Sequence, residues 1–175
     1  MENWNSNTLM VTGFKNASDV YQFLQTVMRI LEERLEGEQV IGESDYGRFE
    51  IDLEYVAVTV TAASHRLILS YRFLSRGDVF RAFAERISAS YPYLLLTHLV
   101  IGLTEGELRL RQIHGAEVTY DRTMPAVVGS AIVEELESEP QESGISFHTE
   151  DLFSLSEAGF KANLATLKTP VFNGD

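Results

Sequence analysis

The sequence predicts an α+β domain, and three observations carry the prediction. Alternating apolar and polar residues from Phe49 to Glu54 and from Val56 to Thr61 have the period of half-buried strands. The stretches Val20 to Leu35 and Val79 to Ile87 instead repeat their apolar residues at the 3.6-residue period of a helix. With 175 residues, 45% apolar and 23% charged, the composition is that of one globular domain and not of a disordered chain.

Taken in order, Thr8 to Gly13 is rich in β-formers and closes on glycine, so it reads as a first strand. Asn16 to Asp19 offers N-cap oxygens for a helix to about Leu35, with a stripe of Val20, Phe23, Leu24, Val27, Leu31 and Leu35. Gly37 is its expected stop. Phe49, Ile51 and Leu53 then alternate with Glu50, Asp52 and Glu54, and Val56, Val58 and Val60 continue in a shifted phase. The shift places a bulge, a bend or a tight hairpin at Glu54-Tyr55. Leu67, Leu69, Tyr71 and Phe73 form another strand, and Ser75 to Asp78 caps a second helix that ends before Tyr91-Pro92. Tyr93 to Thr104 is the most apolar strand. A turn at Thr104 to Glu107 joins it to Leu108–Ile113 as a hairpin, and Val118 to Tyr120 adds a short strand. Thr123 and Pro125 open a third helix that reaches the acidic stretch ending near Glu137. Residues 138–144 have the composition of a linker. The tail from Ser146, with Phe153, Phe160 and Leu164, is too apolar to be solvated and should dock on the body or on a partner. The division is a body over residues 1–137 and a linker with docking segment over 138–175.

Through Ile113 the order is strand, helix, two or three strands, helix and a strand pair. This is the split β-α-β arrangement of ferredoxin-like domains, with an added hairpin, a third helix and a packed C-terminal segment. Asn5 to Gly13 with the capped helix bearing Val20 and Phe23, then Val79 to Ala84, Ser90 to Leu94 and the turn at Glu105-Gly106-Glu107, resemble a family of ferredoxin-like proteins of phages and plasmids, the YubB group, over about residues 5–115. Tyr71 to Arg76 departs from the family in lacking a tryptophan and a proline near the second helix. The resemblance implies a mobile-element origin and the ferredoxin-like fold. It brings no catalytic residues.

Charge is the most informative property. The net charge is −12, from 14 Lys and Arg against 26 Asp and Glu, but it is not uniform. Residues 32–54 carry −7 and residues 134–157 carry −8, while residues 55–133 carry +2, all eight bases there being arginine. The acids that define the two segments are Glu32, Glu33, Glu36, Glu38, Glu43, Asp45, Glu50, Asp52 and Glu54, and then Glu134, Glu135, Glu137, Glu139 and Glu142. A general phosphate-backbone binder needs a basic footprint, so direct nucleic-acid binding is not expected. Linear arrays of carboxylates instead imitate phosphates, which lie about one per 1.7 Å of duplex axis, and steer association with a basic partner.

The absence of cysteine excludes disulfides, thiolate metal sites and a cysteine nucleophile. The four histidines, His65, His98, His114 and His148, have no metal-binding spacing and read as structural or surface residues. There is no phosphate-cradling glycine motif and no serine elbow. No catalytic, cofactor-binding or metal-binding residue is therefore assigned, and no cofactor is expected. Glu50, Asp52 and Glu54 lie roughly 7 Å apart along one strand face and suit an outer or binding surface. Arg66, Arg72, Arg109 and Arg111 either present a basic face or pair with the acidic segments. With no leader-like start and no membrane-length apolar run, the expected compartment is the cytoplasm. The expected function is that of a non-enzymatic acidic interaction protein, monomer or homodimer. It would inhibit a basic, nucleic-acid-processing partner by charge mimicry, as an anti-defence protein of a phage would. An oligomeric structural module and a small-molecule-binding or enzymatic ferredoxin-like domain are the alternatives.

Overall fold

A computed structural model describes residues 4–44, 47–63, 66–77, 79–102, 107–125, 143–148, 151 and 154–165. The chain is α+β, with the described helices on one face of a large antiparallel sheet. In chain order the elements are β1 (Asn5–Thr12), α1 (Ala17–Glu32), β2 (Leu35–Glu36), β3 (Gln39–Ser44), β4 (Gly47–Ala63) and β5 (Arg66–Arg76). A π-helical turn (Phe80–Glu85) then leads into α2 (Arg86–Ser90). After it come β6 (Leu95–Gly102), β7 (Glu107–His114), β8 (Glu117–Pro125), β9 (Ser143–His148) and α3 (Glu157–Leu164). The strands lie side by side as β2-β3-β4-β5-β1-β6-β7-β8, and β9 adds to β4.

The 17-residue strand β4 shows how local sequence builds the sheet. Its first half pairs with β3, from Ser44–Gly47 to Gln39–Asp52, and its second half pairs with β9, from Ala57–His148 to Ala62–Ser143. Along its other edge it pairs with β5, and the register slips between Asp52 and Ala57. That slip is the phase change expected at Glu54-Tyr55, resolved as a bulge within one continuous strand. It keeps Phe49, Ile51, Val56, Val58 and Val60 all buried. The Asp52 carboxylate accepts the Glu54 amide at 3.0 Å and so supplies a partner where the ladder is interrupted.

The inner face of the sheet carries the core. Leu9, Val11, Leu69, Tyr71, Phe73, Leu96 and Ile113 pack under Val20, Phe23, Leu24, Val27 and Leu31 of α1. Asn16 caps α1 through the Asp19 amide at 2.9 Å. The C-terminal segment joins the same core through Phe147, Phe160 and Leu164, and the Tyr21 hydroxyl donates to the Leu155 carbonyl at 2.9 Å. A second, smaller cluster of Leu99, Leu108 and Leu110, with Met10 and Tyr120, lies on the opposite face of β1, β6, β7 and β8.

Several boundaries differ from the sequence expectation. α1 ends at Glu32, because Leu35 leaves the helix and pairs with Val40 across a two-residue turn at Gly37, where φ is +65°. Leu35 is therefore 44% exposed and is not the last residue of the buried stripe. Ser75 and Arg76 end β5 and do not cap a helix; Ser75 is fully buried. Thr123 and Pro125 pair with Arg109 and Glu107 in β8 and do not open a helix. Among the described strands β8 lies at an edge, where a proline's missing N–H costs no ladder bond. The remainder of the expected third helix lies outside the described residues. Ser143 and Gly144, placed in the linker by composition, begin β9.

Tyr71 generates a test of the core. Its ring is fully buried against Phe73 and Phe83, and its hydroxyl has no hydrogen-bond partner among the described residues. Burial pushes that hydroxyl well above the usual tyrosine range. In the unfolded chain it ionises near pH 10, so above about pH 10 the unfolded state sheds the proton first and stability falls as pH rises. Tyr71→Phe should raise stability at pH 7 by about 1 kcal/mol and flatten the loss above pH 10, as read by urea unfolding across pH. A large destabilisation at pH 7 would show that the hydroxyl has a structural partner.

Candidate functional site

Two regions concentrate polar groups, and they lie on opposite faces of the sheet. The first is the acidic corner built by β2, β3 and the start of β4. Register places Glu36 beside Gln39 and Asp52 in one cross-strand row, Ile41 beside Glu50 and Arg76 in the next, and Glu43 beside Arg48 in a third. Glu36, Glu43, Glu50 and Asp52 thus share the face away from the described helices. Glu50 meets Arg76 at 3.5 Å, and the Arg76 guanidinium sits 4.1 Å from the centre of the Trp4 ring. Glu54 lies within the register break, so the period that relates Glu50 to Asp52 no longer fixes its side. Tyr55, 58% exposed, follows Glu50 and Asp52 along β4, whereas Leu35 lies in the row of Val40 and Ile51 on the other face.

The other acids of the first segment lie elsewhere. Glu32 closes α1, and Glu33 follows it and pairs with Arg86 at 3.1 Å, an exposed pair that contributes less than about 1 kcal/mol. Glu38 occupies the β2–β3 turn, where its carbonyl accepts from the Leu53 amide at 3.4 Å. Asp45, Glu134, Glu135, Glu137, Glu139 and Glu142 lie outside the described residues. The arginines do not form one basic face. Arg72 shares the outer face with Ala57 and Thr8, whereas Arg109 and Arg111 lie on the inner face with Asn7 and Leu9. Asp121 of the adjacent strand accepts two bonds from Arg109, at 3.0 and 2.8 Å.

The second region was not singled out by any motif. On the helix-bearing face, the apolar core gives way towards the Asn5 end of β1 to a buried polar group of Asn7, Ser75, His98 and Arg111, all under 5% exposed. Each comes from a different strand, and each continues the inner-face phase of its own strand: Asn7 with Leu9, Ser75 with Phe73, His98 with Leu96 and Arg111 with Ile113. The Asn7 amide donates to Ser75 Oγ at 2.7 Å and to the Asn5 carbonyl at 3.2 Å, and its oxygen meets His98 Nε2 at 2.9 Å. An amide oxygen only accepts, so His98 carries its proton on Nε2. The ring of Phe73 stacks parallel to His98 at 6.5 Å.

Beside this group opens a cavity of about 280 Å³, with Asn7, Val79, Val100, Arg109 and Arg111 among its walls. Gly77 makes the close approach at its rim. With φ at +74°, a Cβ there would stand 2.5 Å from the Arg48 carbonyl. Val79 leads into the π-helical turn, an irregularity of the kind often placed beside sites. The alternation of polar and apolar residues in four strands could have shown this region; residue-by-residue motif searching did not.

Among the described residues, no group of three or more His, Asp and Glu is placed to hold a metal ion, and no helix is long and apolar enough to cross a membrane. Comparison with family models, curated proteins and solved structures found no match to the chain.

The Asn7 group makes a quantitative prediction. Asn7→Ala leaves His98 Nε2 and Ser75 Oγ buried without their amide, each costing about 1–3 kcal/mol. In a double-mutant cycle with His98→Phe the two changes should be non-additive by about 0.5–3 kcal/mol, measured by urea unfolding. Additive losses would mean that the pair is not coupled.

Proposed function

We propose that this chain is a non-enzymatic interaction protein whose acidic corner docks on a basic surface of a partner protein. The observation that carries the proposal is the convergence of Glu36, Glu43, Glu50 and Asp52 on one sheet face, with 58%-exposed Tyr55 further along the strand that bears Glu50 and Asp52. Carboxylates steer encounter and set register, whereas an exposed aromatic within a charged ring supplies the anchor that usually carries binding energy. The basic surface best matched to such an array is one that ordinarily holds a phosphate backbone. The partner is thus a nucleic-acid-processing complex, and the chain its inhibitor.

The resemblance to phage and plasmid proteins favours an anti-defence role in the cytoplasm. The strand order β4-β5-β1-β6, with α1 and α2 as crossovers, supports the ferredoxin-like reading on which that resemblance rests. The oligomeric-module alternative drew on the apolar tail; of its described residues, Phe147, Phe160 and Leu164 are buried in the chain's own core.

A binding panel of nucleases, restriction complexes and CRISPR complexes, each titrated with salt, tests the proposal. Binding should weaken as salt rises. Neutralising Glu36, Glu43 and Asp52 together (E36Q, E43Q, D52N) should slow association roughly tenfold with little change in stability. Tyr55→Ala should cost about 2 kcal/mol of affinity. Binding that is absent across the panel, or indifferent to salt and to these changes, would overturn it.

A further inference from the structure

The acidic corner lies at the β2–β3 end of the sheet, and the docking proposal makes no use of the other end, which β8 forms among the described residues. We propose that this edge is a dimerisation surface. β8 of a second copy adds to it antiparallel, about a two-fold axis at Asp121, and continues the sheet.

The two ends of the strand order differ in what they offer. β2 is two residues long, too short to template much pairing. β8 has nine residues, seven of them exposed, and no described strand pairs with its second side. Edge strands are commonly protected by lysine or proline. β8 has no lysine, and its proline is its last residue, Pro125. The register shift beside Thr119 bends its first residues, and Tyr120 to Pro125 run in regular register with β7.

Charge selects the occupant. A net charge of −12 keeps copies of the chain apart in general. β7 and β8, however, carry three acids, Glu107, Glu117 and Asp121, and three arginines, Arg109, Arg111 and Arg122. This edge is therefore locally neutral. Two copies meet here without the general repulsion, whereas a strongly acidic or basic strand gains nothing.

The side chains are also self-complementary. Antiparallel pairing centred on Asp121 sets Tyr120 opposite Arg122 of the partner subunit, and symmetry repeats the pair. Within one chain the Arg122 guanidinium already lies 5.6 Å from the centre of the Tyr120 ring, so the same attraction operates across the axis. The two Asp121 carboxylates flank the axis, and each accepts two bonds from Arg109 of its own chain, which offsets their like charge.

Sedimentation equilibrium of the full chain, loaded from about 1 to about 500 μM, tests the proposal. The mass should rise to twice 19.7 kDa with a Kd of about 1–100 μM. Tyr120→Lys sets a lysine opposite the partner's Arg122 and should weaken association at least tenfold. Tyr120→Glu loses the same ring but gains an ion pair there, and should associate at least tenfold more tightly than Tyr120→Lys. Thr123→Pro has the strand phase of Pro125, so it should spare the pairing with β7 and leave a folded monomer. If the Tyr120 variants do not fold, Thr123→Pro decides. A parent chain that stays monomeric leaves the edge to a strand of another protein and overturns the proposal. So does a folded Tyr120→Lys or Thr123→Pro chain that dimerises like the parent, or equal association of the two Tyr120 variants.

Discussion

The structure depends on the central position of β1. This strand is hydrogen-bonded along both edges, to β5 over Asn5 to Val11 and to β6 over Asn5 to Thr12. Both pairings are distant in sequence, Leu9 facing Tyr71 on one side and His98 on the other. The sheet therefore closes only when segments some sixty and ninety residues downstream have been brought back. Contacts of such separation slow folding, because loop closure is costly before the contacts repay it. What makes β1 central is its alternation: Leu9 and Val11 are almost wholly buried beneath α1, and one fully buried apolar side chain of this size contributes about 1.5–3 kcal/mol.

The same alternation divides the inner face into two regions. Two residues before Leu9 the inner-face position is Asn7, and Ser75 of β5, His98 of β6 and Arg111 of β7 lie within one residue pair of that row. Buried polar groups are tolerable only when bonded, and the Asn7 amide uses both its ends, fixing the orientation of His98 and Ser75 together. One rigid face thus carries an apolar end that holds the helices and a polar end that borders a cavity. The opposite face carries the acidic corner, which the thickness of the sheet separates from the cavity.

The general outline was legible in the sequence because it rests on periodicity. The stripe of α1, the phase shift in β4 and the hairpin of β6 and β7 were all visible as patterns of two or 3.6. The β2–β3 hairpin was not, because Gln39, Val40, Ile41, Gly42 and Glu43 show no clean alternation; the helix pattern ran on to Leu35 for lack of any stop before Gly37. Ser75 and Thr123 look like helix caps to local reasoning, yet cross-strand pairing claims both, an instance of tertiary context overriding a weak local preference. Of the candidate acids, the cross-strand rows brought four together on one face, a fact that needs the register of β3 and cannot be counted from charge alone. The buried polar group stayed hidden because its four members are 7, 75, 98 and 111 along the chain, and only strand order makes them neighbours.

The central claim is that the apolar core and the polar end of this face are one rigid unit built on β1. Native-state amide hydrogen exchange measures this directly, since it reports the free energy of the opening that exposes each amide. If the claim holds, the amides of Asn7, His98 and Arg111 exchange with the same free energy as those of Leu9 and Val11, equal to that of global unfolding. If the Asn7 end opens with a free energy several kcal/mol lower than Leu9, the polar group is a frayed margin of the sheet and the claim is contradicted.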